Sequence, residues 1–126
     1  MLNNVIKIAI VDDSKLIVDM FKRFFKEEEN MCIVGSFGNG EDLLYFLEHN
    51  HVDLILLDVS LPDTNGIDLC LKVKQRYPNI CVIGQSSHSE PLIINNMLQS
   101  GASCYWIKGS PIAGLFEYID EALARK

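Results

Sequence analysis

The chain has 126 residues and 48% hydrophobic content, enough for one domain with a full apolar core and too short for a second domain of ordinary size. Its net charge of -6 disfavours direct binding to nucleic-acid phosphates or anionic membranes. No apolar stretch approaches the roughly 20 residues that span a bilayer, and Met1–Asn4 lack the basic start of a secretory signal. We therefore expect a single cytoplasmic domain over residues 1–126.

Short apolar segments alternate with longer amphipathic ones along the chain, a pattern that predicts parallel βα units. The first half contains predicted strands and helices in the order Val5–Val11, Ser14–Glu28 with Ser14 as the N-cap, Met31–Phe37, Glu41–Asn50 and Leu54–Val59. The second half continues with Ile67–Tyr77, Ile80–Ser86, Leu92–Ser100, Cys104–Ile107 and a last helix that starts at Gly109-Ser110-Pro111 and runs to about Arg125. The pattern thus predicts five strands and five helices.

The cysteines form no CxxC pair and have no nearby histidine at metal-finger spacing. They are Cys32, Cys70, Cys81 and Cys104. We expect all four to be small core residues in a reducing compartment, with no metal or redox role.

Three aspartates stand where two predicted strands end. Asp58 follows Leu54–Leu57, whose uninterrupted apolar character suits a strand buried on both faces, and Asp12 and Asp13 follow Val5–Val11. Because ligands of open α/β sheets bind beyond the carboxyl ends of the strands, we expect these side chains to line one crevice. Three carboxylates held together repel one another, whereas a hard cation accepts oxygen ligands. The sequence therefore predicts a Mg²⁺ site suited to phosphate chemistry.

Other polar residues stand at the ends of the later strands and belong to the same predicted site. Ser86 and Ser87 follow the fourth strand, and Lys108 follows the fifth. A carboxylate can attack phosphorus to form an aspartyl phosphate, and Asp58 is the candidate nucleophile. Mg²⁺ and the Lys108 ammonium would neutralise the transferred phosphoryl group, with the Ser86 hydroxyl and the Ser87 N–H as further donors.

Four sequence features follow one another in an order that points to a known family. They are the acidic pair after the first strand, the aspartate after the third strand with Pro62 and Gly66 behind it, the hydroxyl after the fourth strand, and the run Gly101–Lys108. Over essentially its whole length the chain resembles the receiver domain of two-component response regulators. The resemblance implies a doubly wound, CheY-like α/β fold with a five-stranded parallel sheet in the order 2-1-3-4-5. It also implies a switch, rather than an enzyme, that accepts a phosphoryl group from a histidine kinase and loses it slowly by hydrolysis.

The same resemblance implies roles for residues around the metal. Asp58 would be the phosphoacceptor and a metal ligand, Asp13 a direct Mg²⁺ ligand and Asp12 a ligand through water. The backbone carbonyl of Ser60 would complete the protein ligands. Mg²⁺ is thus the implied cofactor.

The resemblance also implies how the signal leaves the site. Lys108 would pair with the phosphoryl group, Ser86 would switch toward it, and Tyr105 would be the coupled rotamer switch. The surface of the fourth helix, fifth strand and fifth helix would then change partner, with Tyr105 and Trp106 as apolar anchors. Implied partners are a sensor kinase or phosphotransfer protein, an attached or separate output domain that binds DNA in a longer regulator, and a second copy of the chain.

Two positions depart from the family pattern. Ser86 stands where threonine is usual, so switching is expected to be looser while phosphorylation survives. Gly109 follows Lys108 where proline is usual, which leaves the geometry of that peptide bond open because non-proline cis bonds are costly. Gly109-Ser110-Pro111 instead resembles regulators with a helix-turn-helix output domain.

Two further side chains would flank the path of water to the proposed acyl phosphate. Ser60 stands two residues beyond Asp58, and His88 stands two residues beyond Ser86. We hypothesise that Ser60 and His88 set the rate of dephosphorylation.

Other function classes fit the residues less well. A haloacid-dehalogenase-like phosphohydrolase would need a second aspartate where Ser60 stands, and a flavodoxin-like carrier would need a phosphate-cradling loop where Asp12-Asp13 repel phosphate. The acidic pair by itself is also compatible with simple capping of the next helix. The main alternative is a degenerate receiver that acts as a phosphorylation-independent interaction module. Against it stands the complete set Asp12, Asp13, Asp58, Ser86 and Lys108.

Overall fold

A five-stranded parallel sheet with helices on both faces forms the part of the chain that the computed structural model describes, residues 5–124. The strands are β1 (Ile6–Val11), β2 (Met31–Phe37), β3 (Leu54–Leu57), β4 (Cys81–Ser86) and β5 (Cys104–Ile107). The helices are α1 (Lys15–Lys26), α2 (Gly40–Leu47), α3 (Gly66–Arg76), α4 (Pro91–Gln99) and α5 (Ile112–Ala124). The order β2-β1-β3-β4-β5, with all neighbouring strands parallel, confirms the predicted doubly wound α/β fold.

Three helices begin at polar residues that cap them. The side-chain oxygens of Ser14, Asn39 and Asn65 accept hydrogen bonds from backbone N–H groups three residues further on, at 3.3, 2.8 and 2.8 Å. These bonds satisfy donors that have no partner inside the first turn of a helix. The predicted cap at Ser14 is thus confirmed, whereas the predicted helix end at Arg125 lies outside the described residues. None of the five described helices combines the length and apolar character needed to cross a bilayer.

The sheet separates two apolar layers, because successive side chains of a strand point to opposite faces. One layer packs against α1 and α5, and the other packs against α2, α3 and α4. All four residues of β3 are fully buried, as the apolar run predicts for a central strand. β3 ends at Leu57, earlier than the predicted Val59, so Asp58 is the first residue beyond the carboxyl edge.

The cysteines are less uniform than predicted. Cys70 and Cys81 are buried, and their thiols lie 3.7 and 3.6 Å from the carbonyl oxygens of Ser100 and Ala122. Burial raises the pKa of the Cys70 thiol. The core prediction is wrong for Cys32, which is exposed because β2 is an edge strand, and Cys104 is only half-buried.

Candidate functional site

The carboxyl edge of the sheet brings the three predicted aspartates together. One carboxylate oxygen from each of Asp12, Asp13 and Asp58 lies within 4.8 Å of the other two. They meet because β1 and β3 are neighbours that end in register, and the Asp58 N–H donates to the Val11 carbonyl at 3.0 Å. Asp12 and Asp58 are 2% and 5% exposed, whereas Asp13 faces solvent. Two buried carboxylates therefore share one open, acidic corner.

The Lys108 ammonium is the positive charge that faces this corner. Its Nζ atom lies 2.8 Å from Asp12 Oδ2 and 3.3 Å from Asp58 Oδ2. Burial raises the pKa of the Asp58 carboxyl; Lys108 opposes this effect, and the Asp12 charge adds to it. Burial by itself lowers the pKa of Lys108, but the hydrogen bonds and charges of both aspartates outweigh it and raise that pKa overall. Three carboxylates facing one ammonium leave the site short of positive charge.

A turn after β5 holds Lys108 in place. The Lys108 N–H donates to the Ser86 carbonyl at 2.8 Å, and the Ser110 N–H closes the turn onto the Ile107 carbonyl at 3.1 Å. The peptide bond between Lys108 and Gly109 is trans, which resolves the geometry left open by the sequence. Gly109 has a φ of +92°, a conformation that glycine adopts without steric cost. A left-handed glycine therefore shapes this turn in place of the family's usual proline.

The loop after β3 is packed tightly against the phosphoacceptor candidate. The Ser60 N–H lies 3.4 Å from Asp58 Oδ1, and Ser60 forms an isolated bridge with Asn65. A Cβ atom at Gly66 would collide with the backbone carbonyl oxygen of Asp58. Glycine is therefore required at position 66, which explains the Asp58-to-Gly66 spacing in the sequence.

Asp63 fastens this loop to a neighbouring helix, a contact that the sequence reading missed. Its carboxylate accepts hydrogen bonds from the Gly40 and Glu41 N–H groups at the start of α2, at 2.9 and 3.0 Å. The bond from Gly40 lowers the pKa of the Asp63 carboxyl, with a further contribution from Glu41. The sequence offers only an acidic residue within a predicted turn, and nothing in it indicates the partner helix.

Ser86 and Tyr105, the residues of the predicted switch, both bond to the backbone of His88. The Ser86 hydroxyl is buried and accepts a hydrogen bond from the His88 N–H at 3.3 Å. The Tyr105 hydroxyl donates to the His88 carbonyl at 2.9 Å, and its ring lies over Gly84, where a Cβ would approach it to 2.9 Å. Burial raises the pKa of the Tyr105 hydroxyl, and a hydrogen bond with Ser86 acts against that rise.

Trp106 does not lie on the surface, so the prediction of two exposed apolar anchors is wrong. Its side chain is 3% exposed, and its ring lies 6.0 Å from that of Phe21 in the layer formed by α1 and α5. Alternation along β5 places Trp106 on the face opposite Tyr105, which is itself buried. The indole N–H donates to the Pro111 carbonyl at 3.3 Å and so braces the start of α5.

The two residues proposed to control dephosphorylation touch each other. Ser60 Oγ lies 3.2 Å from His88 Nε2, and the other ring nitrogen of His88 lies 3.5 Å from the Glu90 carboxylate. Ser87 is exposed beside them. The structure thus brings the two side chains into contact, and their role in dephosphorylation stays a prediction.

A second residue that the sequence reading missed is Gln85. It is completely buried, and its Nε2 atom donates to Asp12 Oδ2 at 3.0 Å. The available signal was an amide within the otherwise largely apolar strand β4, since buried polar groups need partners.

Comparisons with known proteins identify the family of this chain. The family described as the response regulator receiver domain matches residues 8–120. The transcriptional regulatory protein DegU of Brevibacillus brevis is 31% identical over 116 residues, which are 92% of this chain and 49% of that protein. A protein-glutamate methylesterase/protein-glutamine glutaminase of Paramagnetospirillum magneticum is 34% identical over 99 residues, 77% of this chain and 28% of its own length. The chain therefore spans half or less of these curated relatives.

A solved structure extends the likeness to the fold. The CheY-like receiver domain protein from Methanospirillum hungatei JF-1 superposes with a TM-score of 0.86 at 26% identity, covering 96% of this chain and 95% of that one. Receiver domains are signalling switches that bind Mg²⁺ at a cluster of acidic residues, and Asp12, Asp13 and Asp58 form such a cluster here. The chain belongs to the response regulator receiver domain family of two-component signalling.

Proposed function

We propose that this receiver domain accepts a phosphoryl group from a histidine kinase or phosphotransfer protein onto Asp58, in a Mg²⁺-dependent reaction. The observation that carries the proposal is the setting of the Asp58 carboxylate. It is buried at a strand end, 3.3 Å from the Lys108 ammonium and within 4.8 Å of two more carboxylates. A carboxylate nucleophile flanked by an ammonium and a cation site is suited to phosphoryl transfer.

The donor atoms of the cluster fit Mg²⁺. They are all oxygen atoms, and hard divalent cations prefer carboxylate and carbonyl oxygens. Asp13 would bind the ion directly, Asp12 through water, and the Asp58 carboxylate and Ser60 carbonyl would complete the protein ligands. When bound, the ion supplies the positive charge that the site lacks and neutralises phosphoryl oxygens.

The chain's own residues carry out the transfer. Asp58 attacks the phosphorus atom of phosphohistidine, so that an O–P bond forms while the P–N bond breaks and its electron pair returns to the imidazole. Lys108 pairs with a phosphoryl oxygen, since its ammonium already faces Asp58. The Ser86 hydroxyl and the Ser87 N–H donate to the remaining oxygens.

Movement of Ser86 passes the change to the surface. Its hydroxyl exchanges the His88 N–H for the phosphoryl group, which alters the His88 backbone that Tyr105 holds. The face formed by α4, β5 and α5 then changes partner. The exposed Leu92 of α4 and Tyr118 of α5 support this proposal, because they leave apolar surface for a partner or a second copy.

We propose residues 1–126 as one receiver domain whose effect depends on an attached or separate output domain. DegU, which is about twice as long, is named a transcriptional regulator, and this supports a DNA-binding output for a longer form of this protein. The receiver domain itself, with a net charge of -6, would make no direct contact with DNA.

Ser60 and His88 are proposed to set the lifetime of the phosphorylated form by flanking the attacking water. Their mutual contact, at 3.2 Å, would hold both side chains beside the acyl phosphate. In the variant Ser60→Ala/His88→Ala we expect the half-life of phosphorylated protein to change several-fold, as measured by loss of the phosphoryl mass over time. An unchanged half-life would refute this role.

Intact-mass measurement tests the phosphoacceptor proposal. The protein is incubated with a small phosphodonor such as phosphoramidate, with and without Mg²⁺, and we expect the mass of one phosphoryl group to be added only with the metal. Asp58→Asn should gain none. A wild type that gained no mass would favour an interaction module that works without phosphorylation. Equal gain in Asp58→Asn would place the phosphoryl group on another residue and refute the proposal.

A further inference from the structure

The Gln85 side chain extends along the carboxyl edge of the sheet to the acidic corner formed by Asp12, Asp13 and Asp58. It lies in β4, yet its side chain bonds to residues at the end of β1, although β3 lies between those two strands. Nε2 donates to Asp12 Oδ2 at 3.0 Å and approaches the Val11 carbonyl at 3.4 Å. Both of these neighbours are acceptors, so the amide nitrogen must point toward them.

The oxygen atom of the Gln85 amide accepts no hydrogen bond from the described residues. Gln85 is 0% exposed, and its Oε1 atom has no hydrogen-bond partner among the described residues. A buried acceptor without a donor costs stability, whereas an apolar side chain of similar shape would avoid that cost. The neighbouring positions of the same layer, Ile83 and Trp106, are apolar. Gln85 is therefore a poor choice for packing, and its value lies in what its nitrogen holds.

The Gln85 amide nitrogen and the Lys108 ammonium both donate to the same oxygen atom of Asp12. Asp12 Oδ2 accepts from Gln85 and also from Lys108 Nζ, at 2.8 Å, while Asp12 Oδ1 accepts from the Ser14 N–H at 2.9 Å. Lys108 lies closer to Asp12 than to Asp58, at 2.8 against 3.3 Å. If the ammonium moves from Asp12 to a phosphoryl group on Asp58, the Gln85 amide is the donor that stays on this buried carboxylate oxygen.

We propose that Gln85 is a positioning residue that holds the Asp12 carboxylate so that Lys108 is released to the phosphoryl group on Asp58. The inference rests on the proposed phosphoacceptor function. Gln85 touches no reacting atom and acts through Asp12 and Lys108. Without its N–H donor, Asp12 retains the ammonium more strongly, and the transfer loses charge neutralisation.

The first test is a kinetic cycle on the intact chain. In Gln85→Met, which keeps the side-chain length and removes the amide, we expect phosphorylation by phosphoramidate at saturating Mg²⁺ to slow about tenfold, the value of one charge-assisted hydrogen bond. In the Lys108→Ala background the same substitution should change the rate less than about twofold, because there is no ammonium left to release. Gln75→Met, on the exposed side of α3, is the matched control and should leave the rate unchanged.

The second test needs no metal and no phosphodonor. We expect Gln85→Met and Asp12→Asn to be non-additive in urea unfolding without Mg²⁺, so that the unfolding constant of the double variant departs about fivefold from the product of the single effects. Gln85→Leu serves as a second apolar variant if the methionine variant folds poorly.

The possible results separate the two claims. Additive unfolding effects, an unchanged rate in Gln85→Met, or an equal slowing in the Lys108→Ala background would each overturn the role of Gln85. A wild-type protein that gains no phosphoryl group in the same assay would overturn the proposed function instead, while the unfolding cycle still reports whether Gln85 supports Asp12.

Discussion

Two aspartates flank β3, one at each end, and their surroundings differ in kind. Asp53 precedes the strand and accepts hydrogen bonds from the Lys7 N–H and from His51, both at 2.8 Å. Asp58 follows the strand and meets two more carboxylates and one ammonium that it shares with Asp12. At the amino edge, Asp53 links β3 to β1 by a hydrogen bond. At the carboxyl edge, three carboxylates lie close together, an arrangement that a bound cation would stabilise. The two edges therefore differ in the balance of their charges, since both carry an aspartate next to β3.

Removal of the metal should have the largest effect on the phosphorylation rate, and this effect should depend on the carboxyl edge and not on the amino edge. With a chelator in place of Mg²⁺, we expect phosphorylation of Asp58 to slow by about a hundredfold or more, because charge neutralisation by a bound metal is worth several kcal/mol. Asp13→Asn should reproduce most of that loss at moderate Mg²⁺. Asp53→Asn, the control at the amino edge, should keep the wild-type rate. Equal losses in the two variants would end the distinction between the edges.

Mg²⁺ should also stabilise the folded protein in the absence of any phosphodonor. Binding to the native state raises the melting temperature with ligand concentration, and relief of repulsion among three carboxylates adds to the gain. We expect a Mg²⁺-dependent rise in Tm for wild type and for Asp53→Asn, with a much smaller rise for Asp13→Asn. Differential scanning calorimetry over a Mg²⁺ series measures it, and a full rise in Asp13→Asn would contradict the assigned ligand.

One added methyl group should lower the free energy of unfolding when it is placed in the loop at the carboxyl edge, but not when it is placed on the surface of a helix. Gly66→Ala would drive a Cβ into the Asp58 carbonyl, and overpacking of this kind costs about 1–3 kcal/mol. Gly114→Ala in α5 meets no atom within 4 Å and should instead add about 0.5–1 kcal/mol of helix stability. Urea unfolding of the two variants compares them, and opposite signs are the expected result.

The smallest expected effect is the pH dependence of the Asp63 contact. The Gly40 and Glu41 N–H groups lower the pKa of this carboxyl in the folded state. The resulting stability is therefore present above the unfolded pKa of about 3.9 and is lost as pH falls through the lower folded value. Asp63→Asn should unfold at lower urea than wild type at neutral pH, and the two midpoints should converge in acid. Asp120→Asn, exposed on α5, is the control that should leave the urea midpoint at neutral pH unchanged.

Much of this molecule follows from the order of its residues. The apolar run Leu54–Leu57 and the alternation of short and long segments predicted the parallel sheet, and polar residues at strand ends predicted the meeting of the aspartates with Lys108. These features are readable because they depend on local pattern and on a general rule about carboxyl edges of sheets. The comparisons then agreed with the family that the same residues resemble.

The missed features depend on contacts between distant parts of the chain. The bond between Gln85 and Asp12 joins residues 73 positions apart, and the contact of Asp63 with Gly40 joins residues 23 apart. The burial of Trp106 was also missed, because the face of a strand that a helix covers is decided by packing and not by the strand's own sequence. Side-chain partners of this kind become visible only in three dimensions.

The most direct test of the central claim is to locate the phosphoryl group. After phosphorylation with phosphoramidate and Mg²⁺, borohydride reduces an aspartyl phosphate to homoserine, and peptide mass mapping then reports the reduced position. We predict homoserine at position 58 and unmodified aspartate at positions 12, 13 and 53. Reduction at any other aspartate, with position 58 unchanged, would contradict the assignment of Asp58 as the phosphoacceptor.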